Sequence, residues 1–171
     1  MGAGAGAGTA STRRTGRLRA LRRLLLQHGS VHQPGPLRRV HRAVPEATGG
    51  GYRELGFYVI KHTDGNIMPI LDYLLDANPH ALHSLDPQAG IDMAEMKRIC
   101  GDRVCLCGNV NCGMLDTGTD EEVVASAEYA LTHGMPGYGY IFSTSNCIYT
   151  GMRLARYELM LDVWRRMGNY A

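Results

Sequence analysis

The sequence predicts an α/β fold of four successive βα units over residues 51–171, preceded over residues 1–50 by a segment of another kind. Three observations carry this prediction. Short apolar runs alternate four times with stretches of helical periodicity. Polar residues gather directly after each run, while turn residues such as Asn78-Pro79, Gly101-Asp102 and Pro136-Gly137 precede the later ones. The charge also divides: residues 1–50 hold nine Arg against one acid, Glu46, and the rest holds nine Lys and Arg against fifteen acids.

The first unit opens on the apolar run Phe57–Ile60, which predicts a strand near 57–61. Asn66 then caps a helix whose apolar residues Ile67, Ile70, Leu71, Leu74 and Leu75 share one face. Ala81–Leu85 predicts the second strand, and Asp92 with Glu95 forms a capping box ahead of Met93, Met96 and Ile99, with Gly101 closing that helix. Val104–Gly108 is the third strand. Thr119 and Glu122 make another capping box before Val123, Val124, Ala127, Ala130 and Leu131, with Gly134 at the C′ position. The fourth strand lies near 139–143, and Leu154, Tyr157, Leu161 and Trp164 line a last helix stopped by Gly168. Short apolar strands suit parallel pairing under covering helices, and repeats of this length suit right-handed crossovers.

The body, at a net −6, gives no reason to expect nucleic acid, and no apolar run is long enough for a transmembrane helix. Cys105 and Cys107, alternating in an apolar run, and Cys112 read as structural thiols, and five Cys suit a reducing, cytoplasmic compartment. Residues 2–8 repeat Gly and Ala, and residues 11–42 are Arg-rich without a single acid. Such a segment buries too little apolar surface to offset its ordering entropy, so residues 1–50 read as low-complexity and unstructured.

Chemistry is concentrated at the strand ends. His62, Thr63, Asp64, Gly65 and Asn66 follow the first strand; Asp86, Pro87, Gln88 and Gly90 the second; Asn109, Asn111 and Cys112 the third; Ser143, Thr144, Ser145, Asn146 and Cys147 the fourth. One face of the sheet is therefore loaded, as in barrel enzymes and at the crevice of doubly wound folds. Plainer roles stand beside these: Asn66 as a cap, Asp86 as a turn residue before Pro87, Gly108 as a strand exit, and His62 as a structural histidine.

The ordered motifs His62-Thr63-Asp64-Gly65-Asn66, Leu85-Asp86-Pro87-Gln88-Ala89-Gly90-Ile91-Asp92, Gly108-Asn109-Val110-Asn111-Cys112 and Ser143-Thr144-Ser145-Asn146-Cys147 resemble the C-terminal part of the uroporphyrinogen decarboxylase family. The resemblance covers residues 52–168. It implies the C-terminal half of a (β/α)8 TIM barrel, and a lyase that decarboxylates porphyrinogen side-chain carboxylates in tetrapyrrole biosynthesis without a cofactor. Corrinoid (cobalamin)-dependent methyltransferases with a zinc thiolate site are related to that family and give the alternative. A third reading is a truncated, non-catalytic product, since four units do not close a barrel.

The resemblance implies a rim of His62, Asp64, Asn66, Asp86, Asn109 and Asn146. Under the methyltransferase alternative, zinc would take His62, Asp64 and Cys147. The decarboxylases carry a His where this chain has Asn146. The methyltransferases carry a Cys where it has Asp64, and Cys147 matches their later Cys. A porphyrinogen bears eight carboxylates and needs cations, of which these loops offer Lys61 and Arg153. The family's substrate-binding Arg residues lie in the preceding half. The implied partner is a small molecule, a tetrapyrrole or a methyl donor, with no nucleic acid and no membrane, and with a homodimeric parent. The chain reads as a fragment, inactive alone.

The basic segment admits a further expectation: residues 17–46 read as the family's preceding segment in the wrong frame. One permitted coding of RRLLLQHGSVHQPG, Arg22 to Gly35, read one base later gives DDYCFNTGPFISPG, and continuing to Glu46 permits RSDEFIVPYL. Both resemble the family's sequence just before Tyr52. The rival is a transit peptide, which is also Arg-rich and acid-poor.

Overall fold

The computed structural model describes residues 51–170. The expectations for residues 1–50 lie outside the described residues. Four strands, β1 (Ile60–His62), β2 (Ala81–His83), β3 (Cys105–Val110) and β4 (Tyr140–Thr144), form one sheet in chain order. Every pairing is parallel. A 3₁₀ turn, Met68–Ile70, leads into helix α1 (Leu71–Asp76). A second, Pro87–Ala89, precedes α2 (Met93–Cys100). Helices α3 (Cys112–Thr117) and α4 (Asp120–Gly134) follow β3, and α5 (Leu154–Met167) follows β4. Strands laid side by side in chain order, each followed by a helix, are the arrangement of part of a TIM barrel.

The register separates the two faces of the sheet. Leu82 and Leu106 are paired, and Leu106 is paired with Tyr140 in turn. This row points at the helices, where Leu82 and Leu106 are fully buried with Leu74, Met93 and Met96. A second cluster joins Val110 and Leu115 to Val123, Ala127 and Leu131 of α4 and to Met160 and Val163 of α5. Tyr140 packs against both clusters and donates its hydroxyl to the Gly108 carbonyl, and burial pushes its phenol pKa far up. On the opposite face His62, His83, Cys107 and Ile141 lie in one register row. Ile60 and Ile141 there are exposed, at 55% and 45%. In a closed barrel that face is the interior.

Several local expectations are corrected. The first strand begins at Ile60 rather than Phe57, and Phe57 and Tyr58 are exposed. Their apolar character does not belong to the helix-covered core. Asn66 makes an Asx turn onto the Met68 amide (3.0 Å) instead of capping α1 directly. Only half of the first capping box forms: Asp92 accepts from the Glu95 amide (2.8 Å) while its other oxygen takes the Tyr129 hydroxyl. The second is complete, Thr119 and Glu122 each accepting the other's amide. Gly134 is the last residue of α4, and Met135 is its C-cap. Helix α3, capped by Asn111 on the Gly113 and Met114 amides, is additional to the expected elements. Helix α5 buries Met160 and Val163, while Leu154 and Trp164 are exposed, because the helix turns a neighbouring face to α4. No helix among the described residues is long and apolar enough to cross a membrane.

Gly108 is required where it stands. Its φ is +143°, and a Cβ there would meet the Ser84 carbonyl oxygen at 2.8 Å. Gly108→Ala is expected to destabilise the fold by about 2 kcal/mol or more, read as a lower urea midpoint at unchanged slope.

Candidate functional site

Parallel strands put all four C-terminal ends on one rim, and there the loops after β1, β2 and β4 meet. His62 closes β1 and His83 closes β2 as its register partner, which brings the two Nδ1 atoms to 2.6 Å with ring centroids 4.8 Å apart. At that distance one nitrogen donates and the other accepts. The far nitrogen of His62, Nε2, lies 3.4 Å from Asp64 Oδ1. Asn146 donates its amide to the same carboxylate oxygen (3.0 Å) and accepts the Cys147 amide on Oδ1 (2.8 Å). Ser84, fully buried, donates to the Ser145 carbonyl at 2.7 Å. Both links join strand exits that are not neighbours in the sheet, so the sheet curls and gathers its exits over one concavity.

The exit of β2 is strained. Ser84 has φ +87° and Leu85 φ +50°, in the region that disfavours side chains. Such residues cost of order 1–3 kcal/mol each and persist where the surroundings over-determine them. Here the Ser84–Ser145 bond does so, as does Asn109, whose amide donates to the Leu85 carbonyl at 3.0 Å.

The expected site residues therefore divide. His62, Asp64 and Asn146 are brought together. Asn109 is 4% exposed and pins the β2 exit from below. Asp86 accepts from the Gln88 amide (3.0 Å) as a turn cap, and Asn66 serves its Asx turn. Cys147 is exposed, and its carbonyl, like that of Asn146, faces the Cys112 thiol (3.5 and 3.4 Å). His83, Ser84 and Ser145 were not among the expected residues. A His-Ser doublet ending an otherwise apolar strand was the available signal.

Burial, together with His62 nearby, lowers the His83 pKa, against the backbone of Thr144 and the charge of Asp64, which raise it. The unfolded chain then binds more protons at this site than the folded one as pH falls below about 6.5, so stability is lost with falling pH. His83→Phe is expected to flatten the pH dependence of the unfolding free energy between about pH 7 and pH 5. An unchanged slope would remove His83 from that account.

The thiols behave as structural groups. Burial raises the pKa of Cys100, Cys105, Cys107 and Cys112, which disfavours the thiolate. No three His, Cys, Asp or Glu side chains among the described residues are arranged to hold a metal ion. His62 and Asp64 stand together, and Cys147 does not complete a group of three with them among the described residues.

Comparison with known proteins gives two findings. A family model described as Uroporphyrinogen decarboxylase (URO-D) matches residues 34–167, beginning upstream of the first motif. A solved structure, a methyltransferase from Methanosarcina mazei, superposes with a TM-score of 0.63 at 20% identity. It covers 75% of this chain, and the chain spans 36% of that structure's length. No curated protein matches.

Proposed function

This chain belongs to the uroporphyrinogen decarboxylase family, and from that premise we propose that the whole protein decarboxylates porphyrinogen side-chain carboxylates, the described rim managing the proton. The supporting observation is the connected set His83–His62–Asp64–Asn146 at the strand ends. Loss of CO2 leaves an electron pair on the side-chain carbon, and a proton must reach that carbon. An imidazole held between His83 on one side and Asp64 on the other, at the rim, is suited to deliver it. Cations for the substrate's carboxylates come from the remainder of the barrel. This chemistry runs without metal or cofactor, in a reducing cytoplasm where free thiols persist.

The alternative is methyl transfer through a corrinoid with zinc. It is favoured by Cys147, which lies in the same loop as Asn146 and matches the later Cys of those relatives, and by the methyltransferase name of the structural neighbour. The test incubates the whole protein anaerobically with uroporphyrinogen. Stepwise carboxylate loss without added metal or cobalamin is expected. Zinc-dependent methylation of reduced cobalamin, with porphyrinogen untouched, would establish the alternative instead.

A further inference from the structure

We propose that Ser84 is a positioning residue: its buried hydroxyl ties the exit of β2 to the exit of β4 and so holds Asp64 and Asn146 together beside His62. The proposal rests on the rim being the reaction site and goes beyond the choice between the two chemistries.

Ser84 stands where a side chain is disfavoured. Its φ of +87° is a conformation that glycine adopts freely and other residues adopt at a cost. What serine adds there over glycine is a hydroxyl. That hydroxyl is fully buried, so it needs a partner, and the Ser145 carbonyl supplies one at 2.7 Å. β3 lies between β2 and β4, so the bond spans the exit of the strand between them.

The far end is an anchored point. Ser145 is also fully buried; its amide donates to the Val110 carbonyl at 2.8 Å, and its hydroxyl accepts the Cys112 amide at 3.3 Å. The end of β3 and the start of α3 thus fix Ser145, and Ser145 fixes Ser84. The next residue, Asn146, donates to Asp64 Oδ1 at 3.0 Å. The same oxygen lies 3.5 Å from Ser84 Oγ and 3.4 Å from His62 Nε2. A hydroxyl has one proton, and the shorter line gives it to the Ser145 carbonyl, leaving Asp64 to accept from Asn146.

The two links differ in what supports them. The Asn146–Asp64 bond joins residues 82 apart in sequence and is exposed, so water competes for both groups. The Ser84–Ser145 bond is shielded from that competition. Loss of the hydroxyl leaves the Ser145 carbonyl without its donor and lets the exits of β2 and β4 part. The exposed contact then gives way to water, and Asp64 no longer stands at a fixed place beside His62.

Two variants separate positioning from stability. Ser84→Ala and Ser84→Gly both lack the hydroxyl, but glycine is free of the left-handed cost. Ser84→Gly is therefore expected to unfold at a higher urea midpoint than Ser84→Ala. Proton–nitrogen correlation on the chain itself reads the Asn146 side-chain amide, assigned by its loss in Asn146→Ser. In the parent it is expected away from the position of a free amide, and Asp64→Ala should return it there. Both Ser84 variants are expected to do the same, whatever their stability. An Asn146 signal that keeps its parental place in Ser84→Gly would reduce Ser84 to a stability role and overturn the proposal. In the whole protein with uroporphyrinogen, Ser84→Gly is expected to lower kcat by about 10–100-fold at unchanged KM. Full parental turnover, or a change in KM alone, would contradict a positioning role. A parent protein that leaves porphyrinogen untouched while the Asn146 signals behave as expected would sink the decarboxylase reading alone.

Discussion

Leu106→Ala is expected to cost about 3–5 kcal/mol, a large share of what any single domain of this size holds. Leu106 is fully buried on β3, a strand paired on both sides, and it packs in the cluster with Leu82, Met93 and Met96. Removing its isobutyl group leaves a cavity that neighbours on both strands and helices cannot close, because the sheet fixes their backbones. Urea unfolding followed by far-UV circular dichroism reads the loss. Ile60→Ala serves as the contrast: Ile60 is 55% exposed on the opposite face, and its replacement is expected to change stability by less than about 0.5 kcal/mol. Equal losses for the two would mean that the faces of the sheet are assigned the wrong way round.

The largest expected effect on activity is its absence. The chain as it stands is expected to consume no porphyrinogen above a heat-killed control. Four strands supply half the rim of an eight-stranded barrel, and the described rim loops offer carboxylates, amides, hydroxyls and imidazoles with little cationic charge besides Arg153. Lys61 lies in β1 beside Leu82 in register, so its position is on the helix side rather than the rim side. A substrate with eight carboxylates finds little here to hold it. Measurable carboxylate loss catalysed by this chain would show that the described residues suffice for both binding and chemistry.

Much of the fold was legible because helices and strands advertise themselves locally. Thr119 and Glu122 announce α4 by a capping box that the structure completes, and Asp92 announces α2 even though Glu95 does not reach back. The faces were less legible. Barrel strands are apolar on both sides, so Phe57, Tyr58 and Ile60 read as core although they are exposed. Helix α5 carries apolar residues around more than one face, and only its packing on α4 selects Met160 and Val163. At the site, strand ends were visible as polar clusters, which found His62, Asp64 and Asn146. His83 was hidden because its role depends on register, and register is a property of two strands together. Ser84 was hidden because a non-glycine residue with positive φ leaves no mark in the sequence. Asn109 and Asp86 lay where expected but serve the backbone, a distinction that only their partners reveal.

The measurement that bears most directly on the central claim, that the rim around His62 manages the proton of a decarboxylation, is the turnover of His62→Phe in the whole protein with uroporphyrinogen. The parent protein should release carboxylates stepwise. The variant should bind substrate with similar KM and lose about 10²–10⁴-fold in kcat, the range of a positioned acid–base group, with its thermal midpoint within a few degrees of the parent. A variant that turns over at the parental rate would place the proton chemistry elsewhere and contradict the account.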